Sequence, residues 1–328
     1  RAAGPGGGYF APWKFIRDPR FLEVGAPGQH IDEWMATQAA EYIDANKDRP
    51  FFLNFSLYSV HSPLNADKEL IAHFEEKTDP EAHQRNPVNA AMIKRMDNAI
   101  GTVLDAIDEA GIAGNTIVVF TSDNGGYAYP PKGTDPPGYA HIPATSNFPL
   151  RSGKASIYEG GTRVPCLIAW PGNTKPGSTS DALFSSVDFL PTLLEMTKVT
   201  PPTSLEFDGV SQVSAVLGEK PPRDKVFVHF PHGSFNQEEK IPGFYPSTSV
   251  RNGDWKLIRF YAKNEDLSDR LELYNLAKDP GESRNLASEN ADLVDELSRS
   301  IDLFLKDTEA VVPKANPKYR PASEEAAP

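Results

Sequence analysis

Residues 89–110 carry one apolar stripe, Met92, Met96, Ile100, Val103 with Leu104, and Ile107, and Gly111 stops it. This is the three-and-four spacing of a helix that buries one face. Runs rich in β-branched and aromatic residues lie on either side, Phe51-Phe52-Leu53-Asn54-Phe55-Ser56-Leu57 before it and Thr116-Ile117-Val118-Val119-Phe120 after it. Strand, long helix and strand in that order make a crossover unit, which is right-handed in nearly all folds and sets its two strands parallel. The chain is therefore expected to be α/β, a mainly parallel sheet flanked by helices. In open sheets of this kind ligands bind beyond the carboxyl ends of the strands. His61 follows the first strand and Asp123 and Asn124 follow the second, so all three are expected at that edge.

Asp123 and Asn124 stand in Thr121-Ser122-Asp123-Asn124-Gly125-Gly126, where the strand turns. Both present oxygen, the ligand type that hard cations such as Ca²⁺ and Mg²⁺ prefer. The same residues also suit a plain Asx turn with a glycine exit.

With 33 basic and 45 acidic residues among 328, the net charge of -12 argues against nucleic acid or an anionic membrane surface as the main partner. The longest apolar runs, residues 51–60 and 164–170, are too short to span a membrane. Cys166 is the single cysteine, so no internal disulfide forms, and it reads as a buried small apolar residue. The chain opens on Arg1-Ala2-Ala3-Gly4-Pro5, with neither Met nor an apolar signal region, and the start of the gene product is expected to lie upstream.

Residues 1–30 read as an irregular opening segment, 31–46 as an amphipathic helix and 67–76 as a short one. Residues 127–149, full of Pro, Gly and Tyr, form a long loop of the functional or disordered kind. It leads to Leu150-Arg151-Ser152-Gly153-Lys154, a strand at 166–170 and a helix at 187–196. The α/β domain is placed at 1–200 and a linker at 201–222, with Pro201-Pro202 and Pro221-Pro222 near its ends. Residues 223–311 are expected to form a smaller antiparallel sheet with a helix: strands at 225–230, 247–251, 254–260 and 271–276, a hairpin at Asn252-Gly253, and a closing helix marked by Leu293, Leu297, Ile301 and Phe304. Residues 312–328 read as a loosely ordered tail.

With these pieces placed, the chain resembles the type I, formylglycine-dependent sulfatases of the alkaline phosphatase superfamily. The resemblance is carried, in order, by Pro50-Phe51-Phe52-Leu53 leading to Val60-His61-Ser62-Pro63, Phe120-Thr121-Ser122-Asp123-Asn124-Gly125, Leu150-Arg151-Ser152-Gly153-Lys154, Tyr158-Glu159-Gly160-Gly161-Thr162-Arg163-Val164-Pro165, Ala169-Trp170-Pro171-Gly172, Asp188-Phe189-Leu190-Pro191-Thr192, Asp254-Trp255-Lys256-Leu257-Ile258 and Glu272-Leu273-Tyr274-Asn275-Leu276. It implies that Asp123 and Asn124 are ligands of a Ca²⁺ ion that binds the sulfate group, and that His61 and Lys154 are catalytic, touching the sulfuryl or leaving oxygens. These residue types suit the chemistry: a leaving alkoxide needs a proton, and the sulfuryl oxygens need fixed positive charge. Arg151 and Arg163 read as structural partners beside the site. His229 and His232, after a strand of the smaller sheet, offer a further route to the substrate's alcohol part.

The family's nucleophile, a formylglycine made from the Cys or Ser that opens a Cys/Ser-x-Pro/Ala-x-Arg motif, has no counterpart in this sequence. The family's paired aspartates and the Lys and His that follow its nucleophile are missing as well, so the chain resembles the C-terminal majority of a sulfatase. Calcium is expected to bind poorly until a preceding segment, joined or nicked, completes the shell. The function implied is a sulfuric ester hydrolase acting on a sulfated small molecule or glycan, with Tyr127, Tyr129 and Tyr139 suited to stacking on a sugar, in the periplasm or outside the cell. The alternatives are a phosphoester or phosphonate hydrolase of the same superfamily and a non-catalytic binding protein that keeps the fold.

Overall fold

The computed structural model describes residues 8–13, 24–77, 81, 83–131, 133–233, 241–264 and 266–314. The chain forms two compact units, one from Arg1–Ser122, Gly126–Asn147 and Pro165–Ser178, the other from Asp123–Gly125, Phe148–Val164 and Thr179–Pro328.

The first unit is built on helices α1 (Ile31–Asn46), α2 (Lys68–Glu75) and α3 (Pro87–Glu109), with short strands β1 (Leu64–Asn65), β2 (Val118–Thr121), β3 (Thr134–Asp135) and β4 (Cys166–Ala169). The start of α3 is set by Asn86, whose side chain accepts from Val88 N and Asn89 N, with Pro87 in the first turn where a missing N–H costs nothing. Helices α1 and α3 share a buried face of Ala36, Ala39, Ile43, Ala99, Val103 and Ile107. Phe51, Leu53, Phe55 and Leu57 pack on this face, while Phe52, Asn54, Ser56 and Tyr58 are exposed. Residues 51–57 therefore have the two-residue alternation of a strand, as expected from sequence, yet they join no ladder among the described residues. The expected parallel pairing across α3 is not formed among the described residues. Strand β2 pairs antiparallel with β4, and the parallel bridge is between β1 and β3. An extended segment becomes a sheet strand when a neighbour offers donors and acceptors at about 4.8 Å, and local sequence cannot supply that neighbour.

The described part of the opening segment is irregular, as expected, and it contributes to a second core, under α2 and α3. Tyr9, Ala11 and the fully buried Trp13 pack with Ile31, Leu64, Ile71, Val88 and Met92. The long loop is structured too: Tyr127 and Tyr139 pack against this core, and Ala144 N and Thr145 N return to Tyr129 O and Tyr127 O. Cys166, expected to be buried, is exposed, like Leu167 and Ala169 of the same strand.

The second unit contains the short helices α4 (Glu159–Thr162) and α6 (Val213–Val216), helix α5 (Phe189–Thr197), the four-stranded antiparallel sheet β5 (Lys225–Phe230), β6 (Ser247–Asn252), β7 (Trp255–Phe260) and β8 (Arg270–Asn275), and α7 (Ala291–Asp307). Asn252 pairs with Trp255, so the hairpin turns at Gly253-Asp254, one residue later than read from sequence, with Gly253 at φ +55°. Side chains on β6, β7 and β8 alternate between two cores. Val250, Leu257 and Leu273 meet Val294, Leu297 and Ile301 of α7. Ile258, Phe260 and Tyr274 meet Ile157 and Tyr158. Both faces are covered, which is why four of the six β7 residues are apolar and the Lys256 side chain is buried among carboxylates.

Residues 201–222, read as a linker, carry α6 and tie back to the start of α5 through the buried Asp188. Its carboxylate accepts from Ser185 N at 2.7 Å, Val210 N at 3.0 Å and Gln212 Nε2 at 3.3 Å, and pairs with Arg223. Of the tail expected at 312–328, residues 315–328 lie outside the described residues.

Candidate functional site

In the first unit His61 closes a turn that follows the extended segment 51–57. Its N–H donates to Tyr58 O at 3.0 Å, and the exposed ring lies with Nδ1 2.7 Å from Ser62 O. A carbonyl oxygen only accepts, so in this contact Nδ1 is the donor and Nε2 is the ring nitrogen left over for chemistry. Beneath the turn, the Tyr9 hydroxyl lies 2.7 Å from both Tyr58 O and His61 O, and the buried Asp32 Oδ1 accepts from Tyr58 N at 3.3 Å.

In the second unit Asp123, Asn124 and Lys154 belong to one stack of backbone. Gly125 N donates to Gly161 O at 3.0 Å, and Gly160 N donates to Arg151 O at 2.9 Å. A Cβ on Gly125 would meet Gly160 O at 1.8 Å; one on Gly160 would meet Arg151 O and Ser152 O at 2.4 Å; one on Gly161 would meet Ser156 O at 2.2 Å. The turn at Gly125 and the neighbouring stretches 151–156 and 160–161 thus lie at a separation that a methyl group would break. The Asp123-Asn124 turn is held on one side of this stack, and Lys154 follows Gly153 on the other.

Asp123 is exposed and Asn124 half-buried. The Asn124 amide nitrogen donates to Gly125 O at 3.0 Å, which commits that nitrogen to the turn and makes the side-chain oxygen the atom suited to a cation. Lys154 is half-buried and makes no ion pair among the described residues.

The stack is anchored by charges that the sequence reading did not single out. Lys256 Nζ, on β7 and 2% exposed, lies 2.9 Å from Glu159 Oε1, 3.0 Å from Glu282 Oε1 and 3.0 Å from Ile157 O. Glu159 N donates to Glu282 Oε2 at 2.6 Å. Burial raises the Glu159 carboxyl, but Lys256, Arg251 and Arg163 outweigh it and the net is below the ordinary value. Glu282 moves the other way: its burial is only partly offset by Lys256 and the Glu159 N–H. Arg151, expected to be structural, stacks on Tyr158 at 3.8 Å and donates to Glu282 O at 2.9 Å. His229 uses both ring nitrogens inside the unit, on Thr248 Oγ1 at 2.7 Å and Val311 O at 3.1 Å, and His232 packs on Phe230 at 4.4 Å between ring centres. In sequence, Lys256 and Glu159 are ordinary members of their motifs; the alternation on β7, which puts residue 256 on the face away from α7, was the available signal.

As metal ligands, Asp123 and Asn124 fit in kind and fall short in number. They are hard oxygen donors on a rigid turn, whereas Ca²⁺ takes about six to eight oxygens. Among the described residues no group of three or more His, Cys, Asp or Glu is placed to hold a metal ion. They fit as part of a calcium shell. No helix among the described residues is long and apolar enough to cross a membrane.

Comparison with known proteins gives these features a context. Residues 8–199 match the family model described as Sulfatase, and residues 152–307 match N-sulphoglucosamine sulphohydrolase, C-terminal. A sulfatase of Formosa agariphila is 32% identical over 90% of this chain and 51% of its own length. An N-acetylgalactosamine-6-O-sulfatase of Bacteroides thetaiotaomicron is 27% identical over 84% of this chain and 51% of its own length. The solved structure of Ps i-CgsB in complex with k-i-k-neocarrahexaose, 23% identical, matches 84% of this chain and 55% of that chain with a TM-score of 0.68. The chain spans about half the length of these two curated relatives.

Proposed function

Because the chain belongs to the sulfatase family, with the alkaline phosphatase-like fold, we propose that it forms the larger part of a sulfuric ester hydrolase that releases inorganic sulfate from a sulfated sugar. The observation that supports this reading is the glycine-packed stack, which ties the turn bearing Asp123 and Asn124 to the segment leading to Lys154. Two oxygens suit a Ca²⁺ ion, and the lysine suits the negative charge of a sulfuryl group. By the resemblance, His61 would serve the leaving oxygen: with Nδ1 donating to Ser62 O, the imidazolium form carries the Nε2–H that would pass its proton to the leaving alkoxide, and Nε2 is left with a lone pair afterwards. A bound calcium would supply fixed positive charge to the sulfuryl oxygens.

In this reading the nucleophile, a formylglycine, and the remaining calcium ligands come from a segment outside these residues, joined to the chain or nicked from it. The unpaired strand at 51–57 supports such a partner, since its alternate side chains already pack on α1 and α3 while its backbone joins no ladder among the described residues. A sugar substrate is supported by the N-acetylgalactosamine-6-O-sulfatase relative. Of the three tyrosines considered for stacking, Tyr127 and Tyr139 are partly committed to the core, and Tyr129 packs edge-on to Tyr127 at 5.2 Å. A location in the periplasm or outside the cell follows from the same family reading.

Peptide sequencing of the protein isolated from its source, paired with an assay of sulfate release from 6-sulfated N-acetylgalactosamine, tests the proposal. Formylglycine in a companion segment and calcium-dependent release are expected. A preparation that contains no such residue and releases no sulfate would sink it.

A further inference from the structure

The turn that carries His61 is held from below by groups whose burial is costly. Asp32 is fully buried in the first turn of α1, and one of its carboxylate oxygens, Oδ2, has no hydrogen-bond partner among the described residues. An apolar side chain would pack there at lower cost. What the carboxylate does that an apolar side chain could not is accept from Tyr58 N, across 26 residues of sequence, at 3.3 Å.

Tyr9 meets the same turn from another side. Its backbone is fixed by Ile31 N and Trp13 Nε1 donating to its carbonyl at 2.8 and 3.1 Å, and its ring stacks on His30 with centres 5.3 Å apart. Its hydroxyl proton is shared between Tyr58 O and His61 O, each 2.7 Å away. Burial, with the Asp32 charge beside it, pushes the phenol's ionisation above the usual tyrosine range, so it remains a donor. His30 caps α1, its Nδ1 accepting from Asp32 N at 3.3 Å, and so fixes where Asp32 starts.

We propose that Tyr9 and Asp32 are positioning residues that clamp the Tyr58–His61 turn and so hold the His61 imidazole in its Nδ1–H form, with Nε2 presented for reaction. The inference rests on the reading of His61 as a sulfuryl or leaving-group contact. It assigns the clamp to the opening segment and to the first turn of α1, neither of which carries reacting groups of its own. With the hydroxyl gone, the two carbonyls would lose their common donor, the turn would open, and the Ser62 O contact that selects the tautomer would no longer be enforced.

The test is amide exchange together with ¹⁵N spectroscopy of the imidazoles in the whole chain. The Tyr58 and His61 amides are expected to exchange on the order of 100-fold more slowly than unprotected amides. Tyr9→Phe keeps the ring on His30 and removes one oxygen; it should speed exchange at His61 about three- to tenfold and populate the Nε2–H form, with α3 amides unchanged. Asp32→Asn keeps an acceptor oxygen and should preserve the protection of Tyr58, which Asp32→Ala should lose. A general loss of stability would move α3 as well and leave the tautomer alone. Unprotected Tyr58 and His61 amides in the wild type, or a Tyr9→Phe variant with unaltered exchange and tautomer, overturn the proposal, and the wild-type measurement decides it if a variant does not fold. An Nε2 resonance that ignores inorganic sulfate in the complete, calcium-loaded protein overturns the reading of His61, and the positioning role with it, even where the clamp's protection is seen.

Discussion

Strand β7 and residues 51–57 are both rich in apolar residues, extended and packed on helices, yet one lies in a finished sheet and the other joins no ladder among the described residues. Each residue of β7 pairs in unbroken register with β6 on one side and β8 on the other, and its alternate side chains enter two closed cores. Residues 51–57 have the same alternation and one covered face, but no partner strand among the described residues, and Phe52 is 76% exposed. Side-chain pattern is a property of the segment. Pairing is a property of its neighbours, and a segment can have the first without the second.

Amide exchange offers the widest test of this contrast. Amides in the middle of β7, such as Leu257, should exchange only when the unit unfolds, at a cost of about 5–15 kcal/mol, whereas those of residues 52–56 should need almost no opening. Equal protection in the two segments would mean that residues 51–57 have found a partner strand, and the contrast would fail. Lys256→Met should destabilise the second unit by about 3–5 kcal/mol in urea denaturation, because it leaves Glu159 and Glu282 buried without their shared cation. Leu297→Ala, beneath the finished sheet, should cost about 2–5 kcal/mol.

The two carboxylates sharpen the comparison through pH. Glu159 has a folded value below 4.5, so its contribution is present above pH 4.5 and is lost as pH falls through the folded value. Glu282 has a folded value above 4.5, so its contribution is full below pH 4.5 and declines as pH rises through the folded value. Near neutrality Glu282→Gln should therefore be the milder of the two glutamine substitutions, as urea midpoints at pH 4 and pH 7 would show; a larger loss for Glu282→Gln would reverse the assignment of charge in the cluster. Phe52→Ser, on the bare face, should change stability by no more than about 0.5 kcal/mol.

Much of this was legible in the sequence where the signal was local. The stripe from Met92 to Ile107 located α3, with Asn86-Pro87 extending its start, and the turn signal at Asn252-Gly253 placed the hairpin to within a residue. Tertiary facts were less visible. Nothing in Tyr9 or Trp13, amid glycine and proline, announces a core, because their burial depends on α2 and α3 arriving later in the chain. Cys166 was misjudged for the converse reason: a small apolar residue in a strand is buried only where something covers the strand. At the candidate site, Asp123 and Asn124 stood out by residue type. Asp32 did not, since a carboxylate in the first turn of a helix is also what a helix dipole favours.

The contact between Gly125 and Gly160 bears on how this molecule tolerates change. Neither residue has a side chain to offer a substrate, yet with Gly161 they separate the turn bearing Asp123 and Asn124 from the segment leading to Lys154 by less than the width of a methyl group. In a mutational scan these glycines should score like reacting residues. A lineage that replaced one would have to move two backbones at once to survive, so the acidic turn and the lysine are bound to be inherited as a unit.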